Sequence, residues 1–195
     1  MRPAERVFSA LHSKGLLLQQ DKTLPSVVGL ITGEALSTSW WGHPKGRAVF
    51  AVLSELEDRP DVLSTKLLLG KSTFVHRRLW PALLTVGAAR EPWQLDRLPL
   101  GARRVLRAVD RGMPVRATGA VVRELESRLL VVARQVHTEK GRHEIVLQSW
   151  RAWAVARKCR RLRSVAAAKR TLERAASRLG AKADALPWSA TDAGA

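Results

Sequence analysis

The sequence predicts a mostly helical α+β chain with short β-hairpins: two related helix–helix–hairpin units followed by a long basic C-terminal helix. Three observations predict it. Apolar residues recur at helical spacing over 3–15, 101–110 and 117–127, as amphipathic helices require. Residues 61–76 and 129–147 instead read as strands paired around glycine-containing turns. The charge is lopsided: residues 1–98 hold 13 basic and 9 acidic side chains, residues 99–195 hold 21 and 8. With 195 residues the chain is long enough for one large domain or two small ones.

The elements follow in order. Val7, Phe8 and Leu11 share one face of a helix over 3–15, and Gly15 suits its end. Leu16-Leu17-Leu18 is a short apolar run. Pro25 opens a second helix over 25–33, closed by Gly33. Gly42-His43-Pro44 starts a third, with Val49, Phe50, Val52, Leu53 and Leu56 on its buried side. Residues 61–68 form a strand, Leu69-Gly70-Lys71 a turn and residues 72–76 the return strand, with a helix at 79–89 after it. Prolines at 92 and 99 mark a linker. The second unit has helices at 101–110 and 117–127, with Val105, Leu106, Val109, Val121, Val122 and Leu125 inward. Strands at 129–137 and 143–147 follow. From Ser149 a helix runs to about Leu179, with Leu162, Val165, Leu172 and Leu179 as its apolar stripe. The expected divisions are 1–92, 93–150, a basic helix at 151–182 and a tail at 183–195, which frays from Leu186 onward. Helix–helix–hairpin is the winged-helix arrangement, in which one helix enters the major groove and the hairpin wing touches the backbone or a minor groove.

Charge points to the partner. Lys and Arg total 34 against 17 Asp and Glu, a formal net charge of +17. Such an excess repels itself and is tolerated where a polyanion neutralises it. Arg outnumbers Lys 25 to 9, and guanidinium groups bind phosphate bidentately and stack on bases. Residues 151–182 hold 11 basic residues against Glu173. The expected partner is therefore DNA; RNA shares the same charge signature. No apolar run approaches a membrane span, and residues 1–6 lack the apolar core of a secretory signal. A cytoplasmic, nucleoid-associated bacterial protein is expected, with no membrane partner.

Several clusters are candidate contacts. Trp40 and Trp41, beside His43, Lys45 and Arg47, suit a stack on an exposed base with cations on phosphate. The equally weighted alternative assigns one Trp to the core and makes Gly-His-Pro a helix start. Lys66, Lys71, Arg77 and Arg78 surround the first hairpin as phosphate readers, or as a solvated edge that discourages strand pairing. His137 and His143 face each other across the second hairpin, with Glu139 near them. A zinc site there lacks a firm third ligand in sequence, so Lys140 and Arg142 read as a wing tip on phosphate. No metal or cofactor is expected. Arg157, Lys158, Arg160, Arg161 and Arg163 are the densest basic run. The lone Cys159 excludes an intramolecular disulfide, and its cationic neighbours should lower its pKa. Gly70-Lys71-Ser72 lacks the upstream glycine of a phosphate-binding loop, and no Gly-x-Ser-x-Gly elbow is present.

Lys14-Gly15-Leu16-Leu17-Leu18-Gln19-Gln20-Asp21, followed by Ser26-Val27-Val28, resembles the opening of the AlkZ-like DNA glycosylases. These are winged-helix proteins that remove alkylated or crosslinked bases, with a Gln-x-Asp or Gln-x-Gln motif after a glycine and apolar residues. The resemblance implies a multi-wing fold, damaged duplex DNA as substrate, and Gln19 and Asp21 as the catalytic pair. N-glycosidic cleavage passes through a cationic sugar, which a carboxylate stabilises while an amide positions water. In an extended segment Gln19 and Asp21 share one face. Read from the residues alone, the same motif is a helix N-cap and surface turn. The alternative function is a non-catalytic DNA-binding protein, either a transcriptional regulator or a repair accessory factor.

Overall fold

Pro3 in the first turn and Gly15 at φ 85° bound the first helix, α1 (Pro3–Lys14), in the computed structural model, which describes residues 2–137 and 143–189. The expected α+β class holds: helices accompany two antiparallel three-stranded sheets. The chain divides into two units, residues 1–80 with 170–195 and residues 81–169. This differs from the expected division at 92/93, and the C-terminal segment returns to the first unit.

In the first unit α1 leads into β1 (Leu16–Leu18), α2 (Val27–Thr32), α3 (Gly46–Asp58), β2 (Val62–Leu68) and β3 (Lys71–His76). The sheet order is β1-β3-β2: the expected hairpin gains β1 as a third strand, with Leu17 opposite Phe74. All three leucines of β1 are buried, as in strands covered on both faces. Leu69 and Gly70 both have positive φ, 54° and 63°, which matches a two-residue hairpin turn. The core gathers Val7, Leu11, Val28, Val49, Leu56 and Phe74.

Two helix starts move. Ser26 Oγ, not Pro25, caps α2 by accepting from Gly29 N at 3.1 Å. A 3₁₀ turn at Trp40–Gly42 delays α3 to Gly46. The sequence places Phe50 on the inner face. Val49, Val52, Leu53 and Leu56 complete the buried stripe of α3, and Phe50 lies off it, 54% exposed.

The second unit contains most of α4 (Trp80–Gly87), then α5 (Pro92–Leu95), α6 (Leu100–Asp110), β4 (Val115–Arg116), α7 (Gly119–Ser127), β5 (Val132–His137), β6 (His143–Gln148) and α8 (Trp150–Ala156). Its sheet order, β4-β6-β5, repeats that of the first. Ala102, Leu106, Val122, Leu125, Leu130 and Leu147 are among its core residues. The expected linker is instead packed. Gln94 is buried and donates to the carbonyls of Gly87 and Arg128. Arg128 in turn donates to Asp96 O at 2.6 Å.

The single long C-terminal helix is corrected to two. α8 ends at Ala156, where Lys158 takes φ 50° and Cys159 N bonds back to Ala154 O. α9 (Val165–Leu179) begins after Ser164, whose hydroxyl accepts from Ala167 N. Continuing one helix through 157–164 would stack like charges such as Arg157 and Arg161 at i,i+4, which is unfavourable. The expected frayed tail is partly ordered: Leu186 and Trp188 are buried, and Trp188 Nε1 donates to Glu173 at 2.9 Å. No helix among the described residues is long and apolar enough to cross a membrane.

Candidate nucleic-acid interface

The second unit concentrates the charge. Residues 81–169 contain 19 basic and 7 acidic side chains, a net of +12 out of the chain's +17. Its most cationic surface is the segment after α8. Leu84 on α4 and Arg151, Ala154, Val155, Lys158, Cys159, Arg160 and Arg161 line an open groove of about 540 Å³. Arg151, Lys158, Arg160, Arg161 and Arg163 are exposed, as is Arg157, whose main-chain N–H donates to Trp153 O. The backbone behind them is pinned: Leu162 N donates to Thr85 Oγ1 at 2.8 Å, and Cys159 N to Ala154 O at 2.9 Å. Cys159 does not follow its expectation. Burial pushes its thiol up, so the neighbouring cations do not make it a reactive thiolate.

A second basic face was missed. Arg104, Arg107 and Arg111 are exposed along and just beyond α6. Their i, i+3, i+7 spacing puts them on one side of the helix, a signal visible in the sequence.

In the first hairpin both lysines have internal partners. Lys66 Nζ donates to Ser72 Oγ at 2.7 Å, and Lys71 Nζ to Asp21 Oδ2 at 2.6 Å. Most residues of β2 and β3 are buried, and the hairpin turn donates from Leu69 N to Ala185 O. Arg78 donates to Ser13 O, while Arg77 is exposed. Lys140 and Arg142 lie outside the described residues. His137 and His143 are cross-strand partners in register. No group of three or more potential metal ligands occurs among the described residues.

The tryptophan pair splits in exposure. Trp40 is 5% exposed and joins the core; Trp41 is 68% exposed and stacks on it, centroids 4.3 Å apart and planes 22° apart. His43 and Lys45 are engaged locally, His43 Nε2 with Glu34 at 3.0 Å and Lys45 Nζ with Thr32 O at 2.8 Å. Arg47 is exposed beside them.

Asp21 and Gln19 are held by different neighbours. Asp21 is buried, and Oδ1 accepts from Thr23 N, Thr23 Oγ1 and Leu24 N at 2.8–3.0 Å while Oδ2 takes Lys71. Burial alone would raise this carboxyl. Lys71 and the bonds from Leu24 and Thr23 outweigh that and hold it well below the usual carboxylate range. The Gln19 main chain donates to Ser72 O and accepts from Val28 N, and no hydrogen bond joins its side chain to Asp21.

Another titratable cluster escaped the sequence reading. Phe8, His12, Arg59, Asp61 and His76 border a cavity of about 270 Å³. Arg59 grips Asp61 through two 2.9 Å bonds and lies over the Phe8 ring. His12 and His76 meet edge to face at 4.9 Å. Burial and the neighbouring His12 push His76 down, against the pull of Asp61. Three chain segments supply this cluster, so no sequence spacing announces it. Comparison with known protein families, curated proteins and solved structures finds no match.

Proposed function

We propose that the protein is a non-catalytic DNA-binding protein that holds the phosphate backbone on the basic surface of its second unit. The observation that supports this reading is the set of exposed cations around the groove beside α8, displayed from a backbone fixed by Thr85 and Ala154. Cations carried on a held backbone lose less freedom on binding phosphate than those of a loose tail would. The AlkZ-like resemblance enters here as a likeness of plan, and what supports it is the repeated sheet order, β1-β3-β2 in the first unit and β4-β6-β5 in the second. Its catalytic implication has less support, because Asp21 spends its lone pairs on four internal donors. Base release from alkylated duplex DNA by the wild-type chain would overturn the non-catalytic reading.

The decisive measurement is the affinity for a 20-base-pair duplex as salt rises. Each neutralised phosphate contributes about −0.9 to the log–log slope. Replacing Arg160, Arg161 and Arg163 by Gln should make the slope shallower by about 2–3, at unchanged melting temperature. No binding at low salt, or a slope that ignores these substitutions, would refute the proposed surface.

A further inference from the structure

The start of α3 has chemistry that a phosphate surface does not need. Trp41 presents one ring face to Trp40 and is otherwise largely open. Phe50, one helical turn into α3, stands beside it with centroids 5.8 Å apart and planes at 41°. Both rings are more than half exposed. Burial of Trp40 in the core fixes the underside of the stack. Gly46 fixes its edge, since a Cβ there would meet the carbonyl oxygens of Trp40 and Trp41 at 3.1 and 3.2 Å. The Trp41 ring is therefore a platform backed by the core on one face and open on the other.

Charge along α3 limits what can dock. Its one cation, Arg47, is exposed at the platform end, whereas Glu55, Glu57 and Asp58 are exposed at the far end. The first turn contains no acidic residue, so the positive end of the helix dipole adds to Arg47. The acidic end would repel a duplex lying along the whole helix. What fits is a planar aromatic group with a phosphate next to it, approaching the end of α3 alone.

We propose that Trp41, Phe50 and Arg47 form a site for an unpaired base in DNA, the base on the Trp41 ring and its phosphate on Arg47. This deepens the DNA-binding reading and rests on it. A base inside an intact duplex has both faces stacked, whereas an unpaired one offers a face to the indole. Stacking on an aromatic side chain favours such a base by roughly five- to a hundredfold.

The test uses the full chain and two probes, a 20-base-pair duplex and the same duplex with one unpaired thymine at its centre. The wild type should bind the bulged duplex at least fivefold more tightly. Trp41→Ala should bind both equally, at the wild-type affinity for the intact duplex. Trp41→Leu keeps an apolar contact with Trp40 and should lose the preference with little change in melting temperature, which keeps the result readable if the alanine variant folds poorly. Equal wild-type affinity for both probes, or a preference that survives in Trp41→Leu, overturns the site while leaving the phosphate surface intact. Binding to neither probe overturns the DNA reading and this site together.

Discussion

Asp21 separates chemistry from architecture most sharply. A carboxylate that accepts three bonds within its own turn and one from Lys71 is an anchor: it ties the segment after β1 to the first residue of β3. Its folded pKa lies below the unfolded value. Its stabilisation is thus fully present above about pH 4, and is lost as the pH falls through the folded value. Asp21→Asn keeps the shape but removes the charge and must turn an amide N–H towards existing donors. We expect a loss of about 2–3 kcal/mol, from charge-assisted bonds of roughly 1.5–3 kcal/mol, measured by urea unfolding at pH 7. The difference between the two proteins should narrow below pH 4. A variant as stable as wild type at pH 7 would remove the anchoring role and reopen the catalytic one.

The helices show where packing overrides local preference. Gly87 lies at the end of α4, where alanine is ordinarily favoured by up to about 1 kcal/mol. A Cβ there would run into the Trp150 indole, whose Nε1 donates to Leu129 O at 2.6 Å. Gly87→Ala should therefore cost about 1–3 kcal/mol through overpacking, read as a lower denaturation midpoint. A gain in stability would mean that the indole yields and its hydrogen bond does not hold it.

The same contrast explains which elements the sequence reveals. α1 carries its own signals, Pro3, the apolar face and Gly15, and the β2–β3 turn is announced by Leu69-Gly70. β1 has three residues and β4 two, too short for a period of two to show. They are strands because β3 and β6 offer free edges, which is a tertiary fact. The basic run at 157–163 reads directly as charge. That Lys71 is occupied by Asp21 does not, because the partners lie 50 residues apart.

Across the whole molecule, the C-terminal basic segment looks in sequence like an arm free to lie on DNA, and this is where burial matters most. Leu172, Ala175, Ala176 and Leu179 of α9 are buried, as are Leu186 and Trp188 beyond it. The segment from 170 onward belongs to the first unit, closing on its hairpin through the Leu69–Ala185 bond. Truncating before residue 170 would remove core rather than an accessory arm, so phosphate contacts there are better tested by charge substitution than by deletion. Trp188→Ala tests the attachment itself. Removing a buried Trp costs on the order of 3–5 kcal/mol, and the loss should be local, because cooperative units open separately. Hydrogen exchange should quicken over residues 62–76, whose turn is bonded to Ala185, and stay unchanged over residues 100–110 and 119–127. Faster exchange in those two helices, with 62–76 still protected, would assign the C-terminal segment to the second unit and turn the observed division around.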